Sequence, residues 1–269
     1  DEQVNILDEE LSRYPDAVGI ASIDSAACSV QFDLATANGI PVISLDSGNE
    51  YKGIQCIVKT DNEDAARTGA YKLANEIGDE GQVILVVHDS NSETAKERAK
   101  SFEEEIKNNY PSVSIVETIY CDKLDDLKKK IAVEKDPNMS EDLQKAAVEK
   151  MTDDEVMQYY LKKYPDLKGV FGTNESSTIF ALEALQKTEL AGKVALVGFD
   201  ISEEQTAAMK NGEISGLVVQ NPFGMGYASV VAAARTVLQS GNEAVVDTGY
   251  IWVTKDNLED ESIQNMLYK

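Results

Sequence analysis

VALVGFDISEEQTAAMKNGEISGLVVQNP, residues 194–222, decides the fold. An apolar run (194–199) leads through a helical pattern (203–211) into a second apolar run (215–220), and neither run alternates polar with apolar residues. Continuous apolar strands belong to sheets covered on both faces. Strand, helix and strand in succession close as a right-handed parallel crossover. Working outward, the same unit recurs. AVGIASI (17–23), PVISL (41–45), QCIVK (55–59), QVILVV (82–87), SIVETIY (114–120) and GVFGT (169–173) alternate with helical patterns over 25–38, 61–77, 93–108, 141–162, 175–187 and 223–239. The expected fold is α/β with doubly wound parallel sheets, and 269 residues suffice for two lobes. The charged stretch 122–163, broken at Pro137, reads as a surface insertion of two or three helices.

Bulk composition excludes several classes. The balance of 25 basic against 48 acidic side chains, a net charge of -23, repels phosphate backbones and anionic surfaces, so nucleic acid is not an expected partner. No segment approaches the roughly 18 apolar residues of a membrane span. Cys28, Cys56 and Cys121 are odd in number and widely spaced, offering neither a zinc pattern nor a disulfide framework, and read as buried thiols. The sequence contains no phosphate loop, nucleophile elbow, zinc-protease motif or dinucleotide fingerprint. The acidic clusters at 122–126 and 153–155 lack the glycine and spacing of a calcium loop. No catalytic residue, metal or cofactor is expected. The start, Asp1 to Leu7, has neither an initiator Met nor a basic and apolar leader, so any targeting segment is expected to be removed or not supplied.

In open parallel sheets, ligands bind beyond the carboxyl ends of the strands. The residues at those ends are polar. Asp46 follows PVISL, Asn174 follows GVFGT, Asp200 follows VALVGF, and Gln220 ends SGLVVQ. Carboxylates and amides suit hydroxyls, which donate and accept at once, so the set points to a small polyhydroxylated ligand. Each also has a structural reading. Asn174 sits where a cap for the next helix belongs, and Asp200 competes with Ser202 for the same task. Gln220 escapes this reading, because Asn221 and Pro222 already supply cap and first helical position. Arg98, early in the helix after QVILVV, adds a donor fork at the same end, or else is a surface Arg among glutamates. His88 and Asp89 end that strand and are further candidate ligand contacts, with a structural histidine as the alternative.

With these residues in hand, the chain resembles the ribose-binding-protein type of periplasmic binding protein, the family that also supplies the sensor cores of LacI-like repressors. The matching blocks run in order: GIPVISLDS (39–47), KTDNEDAARTGAYKLA (59–74), ERAKSF (97–102), YPDLKGVFGTNESST (164–178), VALVGFD (194–200), NGEISGLVVQNPFGMGY (211–227) and TGYIWVTKDN (248–257). The resemblance implies ligand contacts at Asp46, Arg98, Asn174, Asp200 and Gln220. It implies two discontinuous lobes joined by a three-strand hinge near Thr60, Gln220 and Thr248. One lobe holds 1–60 with 221–248, the other 61–220 with 249–269. There are departures: Asp46-Ser47 stands where other members carry Asp-Arg, and Leu124 where an aromatic is common. The family's first βαβ unit, upstream of NILDEELSRYPDAVGI (5–20), is expected to be absent, leaving the 17–23 strand as an exposed edge.

The implied function is an extracytoplasmic solute-binding protein, periplasmic or a cell-surface lipoprotein. It captures a small sugar in the inter-lobe cleft for ABC-type uptake, with the transporter's membrane permease as partner. It is expected to be a monomer unless the exposed edge pairs. The alternative is the ligand-sensing core of a transcription regulator or membrane receptor. A third reading, an enzyme using Asp46 and Asp200 as an acid and base pair, needs ligand turnover.

Overall fold

The structure, a computed structural model, describes residues 2–264. In chain order its elements are α1 (Glu2–Leu11), β1 (Val18–Ile20), α2 (Ser29–Ala37), β2 (Val42–Leu45), β3 (Cys56–Lys59), α3 (Asn62–Glu76), β4 (Gly81–Val87), α4 (Glu93–Asn109) and β5 (Val113–Tyr120). There follow α5 (Leu124–Lys135), α6 (Glu141–Lys150), α7 (Asp153–Lys163), β6 (Leu167–Gly172), α8 (Glu175–Lys187), β7 (Ala195–Phe199), α9 (Glu203–Lys210), β8 (Gly216–Gln220), α10 (Pro222–Val237), β9 (Val245–Asp247), β10 (Tyr250–Val253) and the short α11 (Glu261–Gln264). The chain divides into two compact units. The first holds the residues up to Asn62, Asn91–Glu97 and Gln220–Tyr250, and the second holds Glu63–Ser90, Arg98–Val219 and the chain from Ile251 onward.

The first unit is built on a parallel sheet of order β1-β2-β3-β9, with Val18 opposite Val42, Ile43 opposite Cys56 and Ile57 opposite Val245. Successive strand residues face opposite ways. Val42 accordingly joins Leu7, Ile20, Phe32 and Ala35 beneath α1 and α2, while its neighbour Ile43 joins Cys56, Val58, Met225 and Ala232 beneath α10. Among the described residues β1 pairs with β2 alone.

In the second unit the sheet order is β10-β8-β7-β6-β4-β5, with β4 to β8 parallel. Strand β4 has β5 on one side and β6 on the other. The chain therefore leaves β4 in one direction and returns to its opposite flank, which makes the gap beyond the carboxyl ends of β4 and β6 a topological switch point. Val83 to Val87 are all fully buried, as a sheet covered on both faces requires. On one face Phe171 stacks on Phe102 of α4 at 4.4 Å, and Gly69 of α3 comes so close that a Cβ there would lie 2.4 Å from the Phe171 ring. On the other, Ile84, Val86 and Val170 meet α5, α7, α8 and α9.

Several expectations from the sequence need correction. Residues 141–162 form two helices, because Met151 is extended and the Glu155 carboxylate accepts the Thr152 N–H at 2.8 Å, opening α7 anew. The 122–163 stretch is not wholly a surface insertion, since α5 and α7 bury Ile131, Val156, Met157, Tyr160 and Leu161 in the main core and only α6 buries nothing. The 25–38 helix begins at Ser29, behind a turn in which Asp24 accepts the N–H groups of Ala26 and Ala27. Cys28 and Cys56 are buried as expected, whereas Cys121 is half-buried, with its thiol pushed up to about 12 chiefly by burial.

The Tyr160 hydroxyl is buried without a hydrogen-bond partner among the described residues. Stranding a hydroxyl costs about 1–3 kcal/mol, so Tyr160→Phe should raise stability by about 1 kcal/mol in thermal denaturation. A destabilised variant would show that the hydroxyl is satisfied in solution.

Candidate functional site

The expected contact residues of the first unit are Asp46 and Gln220. Strand β2 does not simply stop at Leu45. Asp46 takes a left-handed conformation, φ 57°, while its N–H continues the ladder to the Val58 carbonyl at 2.8 Å. Gln220 ends β8, and its Oε1 accepts the hydroxyl proton of the fully buried Thr60 at 2.9 Å. Asn221 and Pro222 cap and open α10, as their sequence implies, with Asn221 Oδ1 accepting the Gly224 N–H at 2.9 Å.

The second unit gathers Arg98, Asn174, Asp200, His88 and Asp89. Asp200 repeats the arrangement at Asp46. After β7 it turns left-handed, φ 63°, and its N–H reaches the Val218 carbonyl of β8 at 2.8 Å. It does not cap α9, because Ser202 accepts the Gln205 N–H in that role. Its carboxylate instead accepts the Glu175 N–H at 3.2 Å, at the positive end of α8.

Asn174 does cap a helix. Its Oδ1 accepts the Ser177 N–H at 2.9 Å and the Ser176 hydroxyl at 3.0 Å. The structural reading therefore holds for its oxygen, and its Nδ2 is the end that can address a ligand.

Arg98 is not a surface residue. It is 2% exposed, donates to the Thr173 carbonyl at 2.7 Å, and lays its guanidinium over the Phe199 ring at 4.2 Å. Phe199 meets Phe171 edge-on, and Phe171 stacks on Phe102, so three aromatic rings hold the fork from behind. Sequence reasoning passed over Thr173. This buried residue ties the set together, with its carbonyl on Arg98 and its hydroxyl 2.7 Å from His88 Nδ1 and 3.1 Å from the His88 amide. A hydroxyl closing the otherwise apolar GVFGT run was the available signal.

His88 is the chain's only histidine. Its ring is kept neutral down to about pH 4, first by burial and then by the Arg98 charge, against the pull of Asp89, Asp200 and Asp122. Asp89 Oδ2 lies 3.6 Å from His88 Nε2. Asp122 is held by the Ser90 N–H and hydroxyl at 3.1 and 2.8 Å, which fastens the loop after β4.

Chemically, these groups form two sets of fixed donors and acceptors at strand carboxyl ends. The larger set stands at the switch point of the second sheet. Among the described residues no cluster of His, Cys, Asp and Glu is arranged to hold a metal ion.

Comparison with known proteins bears on the family and the fold. The sequence profile of the periplasmic binding protein domain matches residues 1–242, and the chain belongs to that family. It is 24% identical over 232 residues to the ribose import binding protein RbsB of Bacillus subtilis (strain 168), an alignment covering 86% of this chain. It spans less than two thirds of the length of the ribose import binding proteins it matches, 66% for that of B. subtilis and 63% for that of Haemophilus influenzae. Among solved structures, a carbohydrate transporter solute-binding protein from Agrobacterium radiobacter in complex with D-arabinose superposes with a TM-score of 0.82 at 27% identity, covering 99% of this chain and 83% of that one. A solute-binding protein from Agrobacterium vitis bound to α-D-tagatopyranose superposes at 0.83 with 24% identity, covering 99% and 84%.

The unfolded chain's histidine titrates near 6.5 and the folded chain's near 4, so in that window the unfolded state binds the extra proton. The stability contributed by neutral His88 is complete above about pH 6.5 and is lost as pH falls toward 4. Between pH 7 and 4.5 the wild type should lose about 2–3 kcal/mol more than His88→Gln in denaturant unfolding. Parallel pH profiles would show that His88 is not held neutral.

Proposed function

We propose that this chain is the binding component of a sugar uptake system. It holds a small neutral sugar, outside the cytoplasm, and the residues proposed to contact it are Asp46, Arg98, Asn174, Asp200 and Gln220. It hands the sugar unchanged to the membrane permease of an ABC transporter. The observation that carries this reading is the Arg98 fork, clamped by Thr173 and Phe199 at the switch point beside Asp200. Carboxylates accept hydroxyl protons while the guanidinium and the Asn174 and Gln220 amides donate, a combination matched by hydroxyl groups. The sugar ligands of the family's solved structures support the same class. The import binding proteins and sugar-bound solute-binding proteins that the chain is similar to support capture without turnover.

Calorimetric titration of the full chain with D-ribose, D-arabinose, D-tagatose and D-fucose should find at least one tight ligand, recovered unaltered by mass spectrometry. Asp200→Ala and Asp200→Gly should each weaken it by about 2–3 kcal/mol, the loss of a charge-assisted hydrogen bond. The glycine variant should be as stable as wild type or about 1 kcal/mol more so, since it removes left-handed strain. Unchanged affinity in both variants would return Asp200 to a purely structural role, and the same pair of substitutions at Asp46 reads the first unit.

A further inference from the structure

Two buried side-chain atoms lack a hydrogen-bond partner among the described residues, the Tyr160 hydroxyl and Ser47 Oγ, and their surroundings differ. Tyr160 is packed into the apolar core of the second unit. Ser47, only 6% exposed, instead follows Asp46 beyond the carboxyl end of β2, the edge of a parallel sheet at which ligands bind.

The loop around Ser47 is held by its other polar groups. The Ser47 carbonyl accepts the Ser22 N–H at 3.3 Å and the Ser44 hydroxyl at 3.2 Å. Before it, the Asp46 N–H is spent on the Val58 carbonyl. After it, the buried Asn49 uses both ends of its amide: Oδ1 accepts the Tyr51 N–H at 2.9 Å, and Nδ2 donates to Ser22 Oγ at 3.1 Å. The Glu50 N–H reaches the Ser25 carbonyl at 2.9 Å. Gly48 lies so near Glu93 that a Cβ there would stand 2.4 Å from the Glu93 carboxylate, which itself is 3.7 Å from the Lys59 ammonium. The backbone is thus pinned on both sides of Ser47. In a loop so fully paired, a stranded hydroxyl adds nothing to the fold, since alanine would occupy the place without the cost of burying an unpaired oxygen.

We propose that Ser47 is a specificity-determining residue of the site, its hydroxyl pairing with one hydroxyl or ring oxygen of the bound sugar. The proposal rests on the sugar-binding reading above and adds a residue that chooses among sugars. A hydroxyl both donates and accepts and carries no charge, so its match is a neutral oxygen-bearing ligand. One χ1 step re-aims it while the backbone stays fixed, so little freedom is lost when it engages. A sugar lacking the matched oxygen leaves the hydroxyl unpaired in a site shielded from water, which is where discrimination is large.

The test uses the full chain and the tightest of D-ribose, D-arabinose, D-tagatose and D-fucose by calorimetry. Ser47→Ala should weaken that sugar about 5- to 50-fold while melting, without sugar, at or above the wild-type temperature. Ser47→Cys, which keeps the shape but replaces the hydroxyl by a weak hydrogen-bonding thiol, should be impaired to within about 3-fold of the alanine variant. Across the monodeoxy derivatives of the sugar, one penalty present in the wild type should vanish in Ser47→Ala, the coupling that marks a direct contact. Unchanged affinity in Ser47→Ala, or deoxy penalties that all persist in it, would overturn the assignment while leaving sugar binding intact. A lowered melting temperature in Ser47→Ala would overturn it too, by showing that the hydroxyl serves the fold, and wild-type affinity in Ser47→Cys would overturn the hydrogen-bonding role. Failure of the wild type to bind any of the four sugars would overturn the sugar-binding reading and this proposal with it.

Discussion

Two aspartates carry the burden of this structure, each ending a buried parallel strand in a left-handed turn. Asp46 after β2 and Asp200 after β7 both extend the ladder by one more hydrogen bond, to Val58 and Val218, before the backbone breaks away at φ near +60°. For a residue with a Cβ that conformation costs about 1 kcal/mol or more, and aspartate is among the few that tolerate it. Glycine would remove the strain, but it brings no acceptor. The same device in both units implies that the carboxylate is what the strain holds in place. It also fits the capping of α9 by Ser202, two residues further on, with the Asp200 carboxylate at the α8 terminus.

Around Asp200 the second unit assembles its candidate site out of its own core. Buried aromatic rings from β6, β7 and α4 form the bed on which Arg98 lies, and the Thr173 carbonyl fixes the fork in its plane. Gly69 keeps α3 close enough to hold Phe171 in place. Packing, rather than a surface loop, therefore sets the direction of the main donor. A preorganised donor loses little side-chain freedom when a ligand arrives, which is how a few hydrogen bonds to a small polar molecule yield useful affinity. Neutral His88 completes the picture, because a second cation beside Arg98 would have to be desolvated with it.

Much of this was legible in the sequence, for identifiable reasons. Strands buried on both faces write themselves as unbroken apolar runs, so all eight that were read are strands, and the polar residue after each marks the carboxyl edge. The short β9 and β10 escaped because VVD and YIWV sit among polar and glycine residues without a run of their own. The break between α6 and α7 could have been seen, since Thr152-Asp153-Asp154-Glu155 is a capping-box pattern, but the charge of the whole stretch hid it. That same charge masked the apolar face of α7. What the sequence could not carry is conformation: nothing in the letters says that Asp46 and Asp200 have positive φ, that Asn174 spends its oxygen on a cap, or that Thr173 faces both Arg98 and His88.

The central claim is that strand-end carboxylates, held by local strain, bind the hydroxyls of a sugar. A crystal structure of the full chain with its tightest-binding sugar tests it most directly. The account requires the carboxylates of Asp46 and Asp200 to lie about 2.5–3.0 Å from sugar hydroxyl oxygens, with both residues still left-handed and Arg98 still over Phe199. A sugar bound elsewhere, or an Asp200 carboxylate that touches only the Glu175 amide, would contradict it.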